Sequence, residues 1–499
     1  MAQILSNSIL LQLSEFIAFN LALNFPKNRW NDLERNITLA AKEFGFQDVQ
    51  KFIQHIISSP LTREHSELLA SHLTINETYF WREPQSFEAL EQKILPALIH
   101  VRQKKEKRIR IWSAGCSTGE EPYSIAIAIR RLIPDLDKWN ITILATDINP
   151  KTLHKANTGI YSKWSFRNTP QWLKEKYFLQ NEIGKFEIIP EIKSMVTFGY
   201  MNLAEDVFPS PLNNTNAMDI IYCRNVLMYF TQDRFRQVAR GLYNSLIDGG
   251  YLVVSASELS LQNFPDFMPV NFPGMVLYQK TSKKTKKRNN YSITEISPKP
   301  VLFQIPPKPE SVPESIKTPS VEIENVIIKE EESTQQIDTS YEKKLKLYMQ
   351  GSYADVINAL QKDNQTPEEQ ILLIRAYANL GRLAEALKLC EKSIASDKLN
   401  YKMRYLYATI LQENNMENEA VASLKKTIYL DPNFILSYYS LGNIFLRQGN
   451  LPSAKKCYKN VLSIIERYSQ DEILPESEGL TAGRFKEIIN ATIQTRALS

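Results

Sequence analysis

A chain of 499 residues is too long for one hydrophobic core, so about two to four domains are expected. Its 43% hydrophobic and 23% charged content is that of a soluble globular protein, and a net charge of only +5 gives no basic face of the kind that nucleic-acid phosphates require. The four cysteines, Cys116, Cys223, Cys390 and Cys457, are scattered, with no CxxC or His/Cys cluster to hold a metal and no disulfide framework. No secretory leader and no apolar run of membrane-spanning length is read, so a cytoplasmic protein without direct membrane insertion is expected.

Residues 1–70 read as a small helical domain. Ile9, Leu10, Leu13, Phe16 and Ile17 recur at helical spacing, Asn31 to Glu34 open a second helix through Ala41, and a third covers Asp48 to Ile57. Lys27, Arg29, Arg35 and Lys42 are read as solvated charges on these helices.

Residues 71–280 form the next unit, in which strands and helices alternate. Strands are expected over Ile109–Trp112, Ile141–Ala145, Val196–Tyr200, Asp219–Cys223 and Gly250–Ser255. Helices are expected over Pro122–Leu132, Pro150–Asn157 and Gln232–Leu246. This alternation implies an α/β fold with a mostly parallel sheet covered on both faces. Pro269–Phe272 and Met275–Gln279 read as an antiparallel hairpin at its edge. Residues 161–193 differ in texture and read as an insertion ending in a hairpin, KFEIIPEIK.

A linker follows over 281–340: a basic run from Lys283 to Arg288, then seven prolines from Pro298 to Pro319, then Glu330 to Glu332. Residues 341–499 contain a repeat. Ala386, Ala420 and Ala454 are spaced by 34 residues, as are Gly381, Asn415 and Gly449. Ala408 and Gly442 stand where helices cross closely, and a partial copy begins near GSYADVINAL at 351. This is the tetratricopeptide period, and such repeats stack into an all-α solenoid with a protein-binding surface.

The chemistry centres on WSAGCSTGEEPYS, Trp112 to Ser124. A strand, a loop of small residues and an acid-rich helix start suggest the first βα turn of a nucleotide-binding sheet. Glu120 and Glu121 suit a helix N-terminus but oppose phosphate there. Two carboxylates instead suit a cationic ligand with an amino group and ribose hydroxyls, such as S-adenosylmethionine; an ordinary βα turn with solvated acids is the alternative. Four further stretches fall where such a pocket needs them. ATDIN ends the second strand with Asp147, placed to accept from ribose hydroxyls. MNLAED supplies Asn202 and Leu203 for an adenine edge and face. CRNVLMYF ends a strand with Arg224, Asn225 and Tyr229. NETYFWR offers Asn76, Thr78 and Arg82 as a lid. Taken singly, Asp147 reads equally as a helix cap and Tyr229 as core.

Together, NETYFWREPQSFEAL, WSAGCSTGEEPYS, ATDIN, the NL pair and CRNVLMYF resemble the CheR-type chemotaxis receptor methyltransferases over about residues 1–280. The resemblance implies a Rossmann-like methyltransferase domain with an N-terminal helical domain and an inserted β-subdomain at 161–193. It implies S-adenosylmethionine as methyl donor, S-adenosylhomocysteine as product, and glutamate side chains of chemoreceptors as acceptors. Its cofactor contacts fall on Asn76, Thr78, Arg82, Glu121, Asp147, Asn202, Leu203, Arg224 and Asn225, with Arg82 and Tyr229 nearest the transferring methyl. The repeats would recruit or regulate a further protein, as yet unidentified. Two rival readings are a small-molecule methyltransferase and a scaffold that senses the cofactor without transferring its methyl.

Overall fold

In the computed structural model the described residues are 5–59, 63–74, 77–103, 106–260, 262–281, 339–361, 365–477 and 479–495. Nearly all of the expected linker, residues 282–338, lies outside them, and so does Asn76.

Apolar residues at helical spacing build α1 (Asn7–Leu21), α2 (Trp30–Glu43), α3 (Val49–Ser58) and α4 (Arg63–Leu73). Leu13, Ile17, Leu33, Ile37, Phe52 and Ile56 close a common core. Ser6 and Asp48 cap α1 and α3 by accepting from backbone N–H groups. The fourth helix is an addition to the three expected. It runs past residue 70 because Leu69 and Leu73 are both buried in that core.

A seven-stranded sheet follows, in the order β6-β2-β1-β7-β8-β10-β9. Its strands are β1 (Arg108–Ala114), β2 (Asn140–Asp147), β6 (Val196–Tyr200), β7 (Met218–Tyr222), β8 (Leu246–Val253), β9 (Met268–Phe272) and β10 (Met275–Gln279). β1, β2, β6, β7 and β8 pair in parallel, and β10 runs antiparallel to β8 and β9 as the closing hairpin. All seven positions of β1 and all five of β7 are buried, as parallel strands covered on both faces must be. Alternation sends Ile109 and Ile111 into one core and Trp112 and Ala114 into the other. Helices α5 (Pro84–Ala89), α6 (Leu95–Arg102), α7 (Glu120–Leu132), α8 (Pro150–Thr158) and α11 (Gln232–Ser245) cover these faces. This is a Rossmann-like fold with the strand ends of β1, β2, β6 and β7 along one rim.

The insertion is a three-stranded antiparallel sheet, β3 (Ile160–Tyr161), β5 (Phe186–Ile188) and β4 (Phe178–Gln180), with α9 (Gln171–Tyr177) between β3 and β4. KFEIIPEIK is therefore not one hairpin. Its first half is β5 and its second half is a helical turn, α10 (Pro190–Lys193). Pro190 has no N–H to give a strand partner but suits the first position of a helix.

Nine helices form the C-terminal region: α12 (Thr339–Met349), α13 (Tyr353–Leu360), α14 (Pro367–Asn379), α15 (Leu383–Ser396), α16 (Tyr401–Glu413), α17 (Glu417–Leu430), α18 (Ile435–Arg447), α19 (Leu451–Ile465) and α20 (Ala482–Thr495) are those described. The period of 34 has a physical basis. Ala386, Ala420 and Ala454 are wholly buried where paired helices cross. Gly381, Asn415 and Gly449 each take a left-handed conformation in the turn within a pair (φ 71°, 62° and 73°). The first helices of successive pairs, α16 and α18, face the edge strand β6 across a cavity of about 720 Å³.

Gly442 of α18 illustrates the packing limit. A Cβ there would stand 2.9 Å from the ring of Tyr458 and 3.2 Å from Cys457 Cβ. Tyr458 is fully buried, so its ring has little room to give way. Gly442→Val is expected to destabilise the α18–α19 pair by about 1–3 kcal/mol. Urea unfolding followed by hydrogen exchange in α18 and α19 checks this; unchanged protection would contradict it.

Candidate active site

The rim of the sheet gathers the motifs. β1 ends into Gly115, whose positive φ of 83° lets the chain turn sharply. A Cβ at Gly115 would collide with Val226, so only glycine admits the β7 loop this close. The backbone N–H groups of Gly115 and Cys116 donate to the Thr146 carbonyl at 2.8 and 2.9 Å, tying the first turn to the end of β2. Trp81, Glu83, Ser117 and Asn225 all hold φ between 49° and 60°. Left-handed backbone at non-glycine residues is costly, and four such residues meet along this rim.

One cavity is lined by Thr78, Arg82, Glu121, Arg224 and Asn225, together with Glu77, Tyr79, Phe87 and the Gly115–Ser117 loop. Five of the sequence-predicted residues therefore meet around one space. Arg224 is the hub. Only 2% of its side chain is exposed, and it lies 3.2 Å from both Glu121 and Glu83 while donating at 2.8 Å to the Arg82 carbonyl. Glu121 accepts a further hydrogen bond from Ser113 Oγ at 2.7 Å. Asp147 adjoins this space, accepting from the backbone N–H groups of Ser117 (2.8 Å) and Asn149 (2.9 Å). Asn202, Leu203 and Tyr229 do not line the cavity. Asn202 and Leu203 are buried in the loop after β6, which is tied to Asp147 by the Met201 N–H donating to the Asp147 carbonyl at 3.1 Å. Tyr229 is half-buried and faces the N-terminal bundle: its carbonyl accepts from the Asn24 N–H at 2.6 Å, and the Arg29 guanidinium lies 5.1 Å from its ring centre.

The insertion holds the lid segment in place. Phe80 N–H donates to the Ser165 carbonyl (2.9 Å), Thr169 Oγ1 donates to the Phe80 carbonyl (2.8 Å), and Arg167 bonds Glu77 (2.9 Å) and the Thr78 carbonyl (3.2 Å). The Phe80 ring stacks on Phe166 with centres 5.0 Å apart.

Two residues of this rim carry more than sequence reasoning gave them. Glu120 reads in the sequence as a helix-start acid beside Glu121. It is 1% exposed, accepts from Thr118 (2.6 Å) and Ser165 (3.0 Å), and so joins the first turn to the insertion. Glu258 was missed. Its buried carboxylate accepts from the N–H groups of Asn225, Val226 and Leu227 at 2.8 Å each and Met228 at 3.3 Å. It thereby fixes the whole turn after β7. The signal was present as Ser255-x-x-Glu258, a capping box.

Among the described residues no group of three or more His, Cys, Asp or Glu is arranged to hold a metal. Burial raises the pKa of Glu121, Glu120 and Asp147 above the ordinary carboxylate value, as the leading cause in each. Arg224 and Ser113 pull Glu121 partly back, and backbone N–H groups do the same for Asp147. By contrast, burial pushes the thiols of Cys116 and Cys223 up, away from nucleophilic reactivity.

Comparison with known proteins decides the family. The family description "CheR methyltransferase, SAM binding domain" matches residues 76–272. A "Chemotaxis protein methyltransferase" of Borreliella burgdorferi is 32% identical over 265 residues, 52% of this chain and 92% of that protein. The chain belongs to the CheR methyltransferase family. A "Probable chemotaxis protein methyltransferase" of Rhizobium etli is 34% identical over 44% of this chain and 80% of that protein. "Chemotaxis protein methyltransferase 2" of Vibrio cholerae is 37% identical over 39% of this chain and 66% of that protein. "Tetratricopeptide repeat" matches residues 401–434 and 435–468. The CheR chain is thus an S-adenosylmethionine-dependent methyltransferase with C-terminal repeats. No helix among the described residues is long and apolar enough to cross a membrane.

The raised carboxylates give a pH prediction. A carboxyl whose folded pKa exceeds its unfolded value costs stability when ionised, and that cost disappears as pH falls through the folded pKa. A bound ammonium or sulfonium favours the ionised form and reverses the preference. S-adenosylmethionine binding at mildly acid pH is therefore expected to release protons, and affinity to weaken as pH falls through the raised carboxylate range. Calorimetry in buffers of different ionisation enthalpy reads this directly; proton uptake would refute it. At Glu258, replacement by Ala leaves several buried N–H groups unpaired and is expected to lower stability by about 3 kcal/mol. Denaturant unfolding measures that loss.

Proposed function

We propose that the protein methylates glutamate side chains of chemoreceptor-type signalling proteins in the cytoplasm, and that its repeats recruit or regulate a partner protein. We further propose the division expected from the sequence, residues 1–70, 71–280 and 341–499 as domains and 281–340 as linker, with the first boundary moved past Leu73 and the last to Thr339 by the helices that cross them. The observation that carries the reading is the cavity bounded by the lid, the first βα turn and the turn after β7, which brings Glu121 together with Arg82 and Arg224. The similar proteins of Borreliella burgdorferi, Vibrio cholerae and Rhizobium etli are named for chemotaxis, which suggests the setting.

In this reading Glu121 holds the donor's amino group, Asp147 the ribose hydroxyls, and Asn202 and Leu203 the adenine. Asn76, Thr78, Arg82, Arg224 and Asn225 complete the donor's contacts. The residues fit on chemistry: Glu121 and Asp147 stand at the first βα turn, where their charge opposes a phosphate and favours a cation. Bound S-adenosylmethionine supplies an electrophilic methyl on a sulfonium. The glutamate acceptor is ionised near neutral pH, so the protein needs no strong base. Its work is to strip water from the carboxylate and hold it in line. Arg82 gives a guanidinium for one carboxylate oxygen; Tyr229 lies outside the cavity on the side of the N-terminal bundle, yet near enough to feel the charge of Arg82, and in this reading its hydroxyl donates to the other oxygen. Tyr229 keeps its proton, because burial raises its pKa against the opposing effect of Arg29.

The assay is transfer of radiolabelled methyl to membranes containing chemoreceptors. Base-labile label on the receptor band is expected. Arg82→Ala should lower kcat/KM by about a hundredfold and Tyr229→Phe by about tenfold. Donor binding without label on any protein would overturn the transfer reading.

A further inference from the structure

The proposed adenine loop is held from far away in the chain. Arg484, on the last helix α20, makes a two-pronged ion pair with Asp206: Nε to Oδ1 at 2.6 Å and Nη2 to Oδ2 at 3.0 Å. The pair is well covered, with 14% of the Arg484 and 4% of the Asp206 side chain exposed. Asp206 Oδ2 also accepts from the backbone N–H of Asn202 at 2.7 Å. The Asn202 carbonyl in turn accepts from the N–H groups of Glu205 (3.1 Å) and Asp206 (2.8 Å), and its side-chain Oδ1 accepts from Ala204 (3.0 Å). The turn 202–206 is thus closed by a carboxylate whose charge is balanced from the repeat region. The Arg484 guanidinium also lies 5.2 Å from the ring centre of Tyr200, the last residue of β6. α20 itself packs on α8 and β6, the elements that follow Asp147 and precede Asn202.

We infer that Arg484 and Asp206 are positioning residues that couple docking of the repeat region to the affinity of the methyltransferase site for its adenosine moiety. This rests on the reading that Asn202 contacts adenine. The physical argument is one of charge. Bidentate arginine–carboxylate pairs fix geometry as well as energy. Without Arg484, Asp206 would be a covered carboxylate short of its main partner, and it would turn toward water. That movement frees the Asn202 N–H and loosens the turn. A ligand that favours the ordered turn must then, by reciprocity, favour the docked α20.

The test uses the full chain and S-adenosylhomocysteine as probe. Arg484→Met and Asp206→Asn are each expected to raise its Kd by about fivefold or more. KM for the methyl donor should rise in parallel while kcat holds, and the double variant should be no worse than the singles. Arg484→Lys should recover part of the affinity. Addition of the probe should slow amide exchange in α20. Asn202→Ala is the separate control: no change in its Kd removes the adenine reading itself. If Asn202→Ala weakens binding but Arg484→Met does not, the coupling is refuted. A loss of melting temperature and kcat in Arg484→Met with Kd unchanged assigns the pair a structural role and also refutes it.

Discussion

The site depends on a buried arginine. Arg224 comes from the end of β7, yet its guanidinium holds the lid through the Arg82 carbonyl and Glu83, and the first βα turn through Glu121. Removing an ion from water costs several kcal/mol, so Arg224 is stable only with its partners assembled. That requirement makes three segments one unit. Arg224 also offsets burial at Glu121: burial raises that carboxyl's pKa, and the guanidinium is the largest influence favouring its ionised form.

The lid and the turn after β7 are strained, and each is restrained by something outside the sheet. Trp81 and Glu83 hold left-handed backbone, while Phe80 and Glu77 are bonded to the insertion. Asn225 is left-handed as well, and Glu258 collects the N–H groups that follow it. Strain of this kind persists only where surrounding bonds outnumber it. The insertion is therefore part of the site's architecture whether or not it touches a protein substrate.

The fold was legible because its signals are local. Val196–Tyr200 and Met275–Gln279 are strands at the expected limits, since short apolar runs bounded by breakers leave little choice. The 34-residue spacing was legible because crossing alanines and left-handed turn residues cannot be moved independently. Five cavity residues were legible because they stand in dense motifs, Glu121, Arg224 and Asn225 just after strands and Thr78 and Arg82 in the lid segment. What was not legible is what distance in the chain hides. Glu120 looked like an exposed helix start, and only Ser165, from the insertion, shows why it is buried. KFEIIPEIK looked like a hairpin because alternation outweighed its proline, whereas the partner of β5 lies at Phe178–Gln180. Asp206 carries no signal of its own in the sequence, because its partner is 278 residues on.

An edge strand such as β6 presents unpaired backbone groups and needs cover. Here the repeat region supplies the cover by gripping the sheet at both ends of its strands. At the starting end, Glu413 of α16 accepts from Asn140 through its carbonyl (3.0 Å) and from Asn216 through its carboxylate (2.9 Å). At the finishing end, Arg484 closes on Asp206. Between the grips lies the cavity, with β6 on one side and α16 and α18 on the other. The helix face that repeats of this kind present to other proteins is thus turned toward the chain's own sheet. A partner that sought that face would have to compete with these buried polar contacts, and release of the finishing-end grip would be felt first in the turn that carries Asn202.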